Sequence, residues 1–190
     1  GHFAPAGRPL AMDQSTVYGF GRKRRNFRGT TVIDYKLFAS RRRPEIVGAK
    51  GKVDRKVPES FHYGIPPHGR RRGITASRPR YRWVKRGLPF HARAVTLAED
   101  IFFAAGPPDV VEESKIYQNP IDAAARKKLE KQAAALKGRS GMVLWAVSAK
   151  NGERLSELRL TSSPVFDGMS AARGRLLISR KDGTVLCLGK

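Results

Sequence analysis

At 190 residues and 40% hydrophobic content the chain is long enough for one sizeable core or two small ones. No apolar run approaches the roughly 20 residues that span a bilayer, so no membrane-crossing helix is expected. Its 38 Lys and Arg against 16 Asp and Glu leave a net charge of +22, which favours polyanionic partners such as nucleic acid or an anionic membrane surface and says nothing about fold. A single cysteine excludes an internal disulfide framework and a Cys-rich zinc site and leaves the redox compartment open; Cys187, set in an apolar run, reads as a small hydrophobe buried in a strand.

The N-terminal stretch GHFAPAGRPLAMDQ has neither an initiator Met nor the basic-then-apolar layout of a signal peptide. The chain is therefore expected to begin inside a longer protein or behind a processing site. Strands are expected within residues 1–39, where TVYGFG (16–21) matches the spacing of the closing TVLCLG (184–189). Charge is concentrated in the first half: residues 1–90 hold 22 Lys and Arg against 5 Asp and Glu, whereas 91–190 hold 16 against 11. GRKRRNFRG interleaves Phe27 with Arg22, Lys23, Arg24, Arg25 and Arg28, and RPRYRWVKR interleaves Tyr81 and Trp83 with cations that include Arg80, Arg82, Lys85 and Arg86. Cations pair with phosphates and aromatic faces stack on bases, which makes these nine residues the candidate polyanion-binding set. The aromatics of YRW fit inward-facing positions of a sheet equally well, with the cations merely solvated. The glycines of GFGRKRRNFRG lack the Walker spacing, so no phosphate loop is expected.

Residues 40–80 are rich in Arg, Lys, Gly and Pro and show no sustained period, which reads as a long basic loop or a disordered insertion. His62 and His68 in HYGIPPH have no carboxylate or Cys at ligand spacing, and Pro66 and Pro67 hold the segment extended. They read as surface loop residues, and no metal site is expected.

Residues 81–190 carry internal similarity. LAEDIFFAAG (97–106) and AARGRLLISR (171–180) align at a constant offset, so that Ala98, Asp100, Phe102 and Phe103 match Ala172, Gly174, Leu176 and Leu177. Each copy is a tight turn followed by an apolar strand, and each is preceded by another candidate strand, at 90–97 and 165–172. Between them NPIDAAARKKLEKQAAALKG predicts an inserted helix over about 119–138, with Asn119 as cap, Pro120 at a first helical position and Gly138 as the stop. Ile121, Ala125, Leu129, Ala133 and Leu136 fall on one side and are expected to face a sheet. AKNGE and RKDGT place Asn-Gly and Asp-Gly between apolar runs, which predicts hairpins joining 142–148 to 154–160 and 175–179 to 184–188. A four-strand unit thus runs from about 90 to 160, and the next begins at 165 and stops after three strands. Short strands that repeat without being able to bury both faces alone are the mark of a radial or stacked array.

No constellation specifies a reaction. Glu112 and Glu113 are adjacent and diverge on any regular element, Asp167 precedes a glycine and reads as a turn residue, and Ser140 and Ser148 have no neighbouring His.

LWAVSAKNGERLSELRL followed by SSPVFDGMSAARGRLLISRKDGTVLCLG resembles the C-terminal repeats of pyrroloquinoline-quinone-like (PQQ-like) β-propeller proteins of planctomycete type, and VYGFGRK, RYRW and RAVTLAEDIFFAAGPPDVV resemble segments that precede those repeats. In the repeat pattern Ala-x-Asp-x-x-x-Gly-x-x-x-Trp, this chain has Ser148 in place of the Asp and Ser156 near the aromatic position. The resemblance implies an all-β, partial β-propeller of four-stranded antiparallel blades, with partial blade strands in 1–39, the basic loop at 40–80, and C-terminal blades with the helical insertion in 81–190. In such rings the last blade is completed by a strand from the other terminus. The chain is therefore expected to be the C-terminal portion of a longer, extracytoplasmic protein, whose last strand, 184–188, is left with an open edge unless residues 31–39 cover it. The function implied is a non-catalytic scaffold for protein interaction or assembly, with protein partners or further blades of the same protein. Two alternatives stand beside it: part of a quinone-dependent dehydrogenase whose active site lies in further sequence, and polyanion or nucleic-acid binding through the basic first half. Pyrroloquinoline quinone enters through the family name alone. With neither a vicinal cysteine pair nor an Asp/Glu/Asn calcium cluster in the sequence, no cofactor is expected.

Overall fold

The computed structural model describes residues 7–27, 30–43, 45–48, 74–78, 80–111 and 123–189, with side chains over 9–21, 35–43, 80–111 and 123–189. Among the described residues the chain is mostly β, with thirteen strands, all paired antiparallel, and one helix. The first sheet consists of β1 (Gly7–Met12), β2 (Thr16–Phe27), β3 (Thr30–Arg41) and β6 (Tyr81–Arg86), hydrogen-bonded in that order. Between β3 and β6 the chain leaves the sheet, and β4 (Glu45–Gly48) and β5 (Ile74–Arg78) pair with each other. The second sheet consists of β7 (Ala94–Ala98), β8 (Ile101–Gly106), β9 (Met142–Ser148) and β10 (Arg154–Leu160), again in sequence order. Helix α1 (Ala123–Leu136) is inserted between β8 and β9. The third sheet has three strands, β11 (Pro164–Ala172), β12 (Arg175–Arg180) and β13 (Val185–Gly189).

Local chemistry explains the turns. The Asp13 carboxylate accepts the amides of Ser15 and Thr16 at 2.6 and 2.7 Å and the Tyr18 hydroxyl at 3.1 Å, closing the β1–β2 turn. In the two expected hairpins the glycine after the Asn or Asp takes positive φ, +77° at Gly152 and +84° at Gly183. The β11–β12 turn has positive φ at both central residues, Arg173 (50°) and Gly174 (69°), as a type I′ hairpin requires. The strand expected at 90–97 starts as an irregular ladder, in which the His91 and Arg93 amides donate to the carbonyls of Pro107 and Ala105, before β7 proper begins.

Packing then assembles the sheets. β7 lies against β1 on one side and β11 on the other, so the first strands of the three sheets are neighbours. Tyr18, Phe20, Leu37 and Trp83 of the first sheet meet Phe102, Val143, Trp145 and Val147 of the second in one core. Ala105, Met142 and Leu144 of the second meet Met169, Leu176 and Ile178 of the third in another.

Three sequence expectations are modified. Within the aperiodic 40–80 stretch β4 and β5 form a short ladder; 49–73 lie outside the described residues. The face of α1 that is buried is Ala125, Gln132 and Ala135, whereas Leu129 and Leu136 are 45% and 38% exposed. Gln132 decides this rotation: its Oε1 accepts the Val110 amide at 2.7 Å and its Nε2 donates to the Pro108 carbonyl at 3.2 Å, bonds that a leucine could not supply. The helix ends as expected at Gly138, φ +92°, whose amide bonds to Ala135 O while that of Arg139 bonds to Ala134 O; Asn119, Pro120 and Ile121 lie outside the described residues. Finally, Cys187 is exposed, not buried. On β13, Leu186 and Leu188 turn toward the second sheet, and the alternation of a strand sends Cys187 the other way, where no further layer of described residues covers it.

Candidate functional site

The second and third sheets are in contact near β7, β8, β11 and β12 and separate toward their outer strands. Their separation leaves a groove of about 610 Å³ walled by Ile101, Phe103, Leu144, Leu158, Leu176 and Leu188. Among the described residues the third sheet has three strands, and Leu158 of β10, on the wall of the groove, is 42% exposed. Charged residues stand only at its mouth: Glu99 in the β7–β8 turn, and Arg173 and Arg175 in and after the β11–β12 turn. Glu99 and Arg173 both hold positive φ, 49° and 50°, as first residues of the two-residue turns that join β7 to β8 and β11 to β12. No short motif announces this groove.

The candidate polyanion residues are distributed along the first sheet. Arg22, Lys23, Arg24 and Arg25 lie on β2, opposite residues 32–35 of β3, and Arg28 is outside the described residues. Arg80, Arg82 and Arg86 are exposed on or beside β6, the outer strand of that sheet, and Lys85 is half-buried. Arg82 donates to the Ser15 hydroxyl at 3.2 Å. Lys36 donates to the Tyr81 hydroxyl at 2.9 Å and lies 4.3 Å from its ring centroid, so Tyr81 is engaged by a cation of its own sheet. The second aromatic of YRW faces inward: Trp83 is buried, and its indole N–H donates to the Ala149 carbonyl of the second sheet at 2.8 Å. Its ring occupies the space that a Cβ on Gly152 would need, 2.7 Å away. The Ala149–Gly152 turn was legible as a hairpin, but its role as a seat for an indole 66 residues earlier was not.

Other titratable side chains have structural partners. Glu157 on β10 accepts the Trp145 indole N–H at 2.9 Å, Arg154 at 3.0 Å and Arg159 at 3.1 Å; the indole hydrogen bond foremost, then the two guanidinium groups, hold its carboxyl below the ordinary range. For Asp13, burial pushes the pKa up, but the Ser15 and Thr16 amides and the Tyr18 and Ser15 hydroxyls together leave it lowered. His91 Nε2 lies 3.2 Å from Asp109 Oδ1, and its ring stands edge-on to Tyr35 with centroids 4.5 Å apart. Arg93 donates to Leu136 O and Lys181 to Lys137 O, which places two cations at the negative end of α1. Burial, and then the proximity of Arg93, lower the Lys181 pKa. His2, His62, His68, Glu112 and Glu113 lie outside the described residues.

Among the described residues no three His, Cys, Asp or Glu side chains gather to hold a metal ion, and no helix is long and apolar enough to cross a membrane. The groove does not fit a quinone with calcium: it offers one carboxylate, Glu99, among apolar walls, and the chain's one cysteine stands outside it on β13. No protein-family model, curated protein or solved structure matches the chain.

Proposed function

We propose that the chain is a segment of a PQQ-like β-propeller acting as a non-catalytic scaffold for protein interaction or assembly. The observation that carries this reading is the adjacency of the three first strands, β7 against both β1 and β11, with Trp83 of one sheet seated in the turn of the next. Successive antiparallel meanders that present their first strands to one another suit a radial array. The seat of Trp83 falls within Ala146-x-Ser148-x-x-x-Gly152, where the chain has Ser148 in place of the Asp of the family's repeat pattern. The full-length protein, supplied with pyrroloquinoline quinone and calcium, is expected to reduce no electron-accepting dye in the presence of alcohols or sugars. Quinone-dependent turnover would replace the scaffold reading with the dehydrogenase one.

A second reading, binding of nucleic acid or another polyanion, is favoured by the exposure of Arg80, Arg82 and Arg86 along the outer strand of the first sheet. Affinity for a labelled single-stranded oligonucleotide is then expected to fall with salt by a log–log slope of about −0.7 per phosphate neutralised, and the double variant Arg82→Glu, Arg86→Glu to make that slope shallower. An affinity indifferent to salt excludes a phosphate-driven mode.

A further inference from the structure

We propose that the end of the first sheet where Arg41, Arg42, Arg80 and Arg82 stand around the β1–β2 turn binds a phosphomonoester, the terminal phosphate of a nucleic-acid strand. This deepens the polyanion reading, on which it rests, by naming the group recognised and by adding Arg41 and Arg42, residues outside the candidate set read from the sequence. β3 ends and β6 begins at this end of the sheet, and the Arg41 amide donates to the Arg80 carbonyl at 2.9 Å, so these two arginines stand on neighbouring segments. Arg42 is tied to the turn twice. Its amide donates to the Ser15 carbonyl at 3.0 Å and its guanidinium to the Gln14 carbonyl at 3.2 Å. The Arg82 guanidinium reaches the same turn, donating to the Ser15 hydroxyl at 3.2 Å.

Convergence specifies the ligand. Two guanidinium groups are anchored to consecutive residues, Gln14 and Ser15, two further arginines stand beside them, and all four residues are exposed. A phosphodiester carries one negative charge and a terminal phosphate between one and two near neutral pH, so a compact cluster gains more from the terminal group. Every cation of the cluster is an arginine, whose planar fork meets two phosphate oxygens at once, where a lysine offers a point charge. The one carboxylate of the turn, Asp13, is committed to the Ser15 and Thr16 amides and the Tyr18 hydroxyl. Among the described residues no carboxylate forms an ion pair with any of the four arginines. Further cations lie down the same sheet: Lys36 and Arg86 face each other across the β3–β6 ladder, and Arg22 to Arg25 follow on β2. A nucleic-acid strand brings a phosphate at every residue to meet them, and a phosphopeptide does not.

Fluorescence anisotropy with the 190-residue chain tests this. The probes are single-stranded oligonucleotides of one sequence, labelled internally with fluorescein and carrying a terminal phosphate at the 5′ end, at the 3′ end or at neither. At matched ionic strength one of the phosphorylated probes is expected to bind at least about tenfold more tightly than the unphosphorylated one. The charge-preserving double variants Arg42→Lys, Arg82→Lys and Arg41→Lys, Arg80→Lys are each expected to shrink that ratio at least about threefold, because they keep the charge and lose the fork. All four positions are exposed, and an unchanged melting temperature would show that the variants are folded. A ratio near one, with binding that still weakens as salt rises, overturns the proposal and leaves the polyanion reading standing. Salt-independent binding, or none, to all three probes removes both. A ratio that both lysine variants leave intact places the terminal phosphate elsewhere and overturns the proposal too. So does inorganic phosphate competing with the same affinity as the phosphorylated probe, which would assign the site to a free phosphate, or a phosphoserine peptide binding as tightly, which would assign it to a protein ligand.

Discussion

Replacing Trp83 with alanine is expected to lower the stability of the chain by about 3–5 kcal/mol, the range for deleting a buried aromatic side chain. The loss has two parts. The indole fills the space between the first and second sheets, in the same core as Tyr18 and Phe102, with ring centroids 6.3 Å from each. Its N–H also satisfies the Ala149 carbonyl, which the deletion leaves with a buried, unmade bond. Trp83→Phe keeps most of the packing and loses the bond, so it should cost less, about 1–2 kcal/mol more than a conservative swap elsewhere in the core. Urea unfolding of the two variants beside the parent chain measures both quantities. A Trp83→Ala loss under about 1 kcal/mol would mean that the sheets hold together without this seat, and the argument for a radial array would lose its main support.

Gly106→Ala is expected to cost at least about 3 kcal/mol, more than most overpacking substitutions, because the obstacle is backbone. A Cβ there would stand 1.8 Å from the His91 carbonyl oxygen and 2.7 Å from its carbon. That oxygen cannot swing aside, since the His91 and Arg93 amides on either side of it are committed to Pro107 and Ala105 at 2.9 and 2.8 Å. Relief would open the ladder at the lead into β7, the strand against which both β1 and β11 rest. Gly174→Ala makes the contrast: nothing lies within 4 Å of its Cβ position, so only the positive φ of 69° opposes the change, at about 1–2 kcal/mol. Thermal denaturation of the pair separates the two causes. Gly106 has no positive φ, so a loss no larger than that of Gly174→Ala would show that the backbone around His91 yields to the added Cβ.

Both substitutions act where distant segments meet, and the division between legible and illegible features follows the same line. The β9–β10 and β12–β13 hairpins could be read from Asn151-Gly152 and Asp182-Gly183, because a two-state choice of φ is written into those residues themselves. The end of α1 could be read at Gly138 for the same reason. β4 and β5 could not, because four and five residues that pair across 49–73 show no period of their own. The buried face of α1 escaped a reading by hydrophobicity because Gln132, which donates to the Pro108 carbonyl and accepts the Val110 amide, is buried in place of Leu129 and Leu136.

From the sequence follow the positions of the hairpin turns and the inserted helix, each a property of residues within a few positions of one another, and the strongly basic first half; the all-β class is what the resemblance implied, and the described residues are mostly β. Tertiary structure alone decided which of the YRW aromatics is buried, that Cys187 faces outward, and that an apolar groove with two arginines and a glutamate at its mouth opens beside a three-stranded sheet. The physical reason is that burial belongs to pairs of surfaces. Leu158, Leu176 and Leu188 carry the alternation of ordinary strand residues, and whether such a side chain meets a core or an open groove depends on how many strands the neighbouring sheet sets against it.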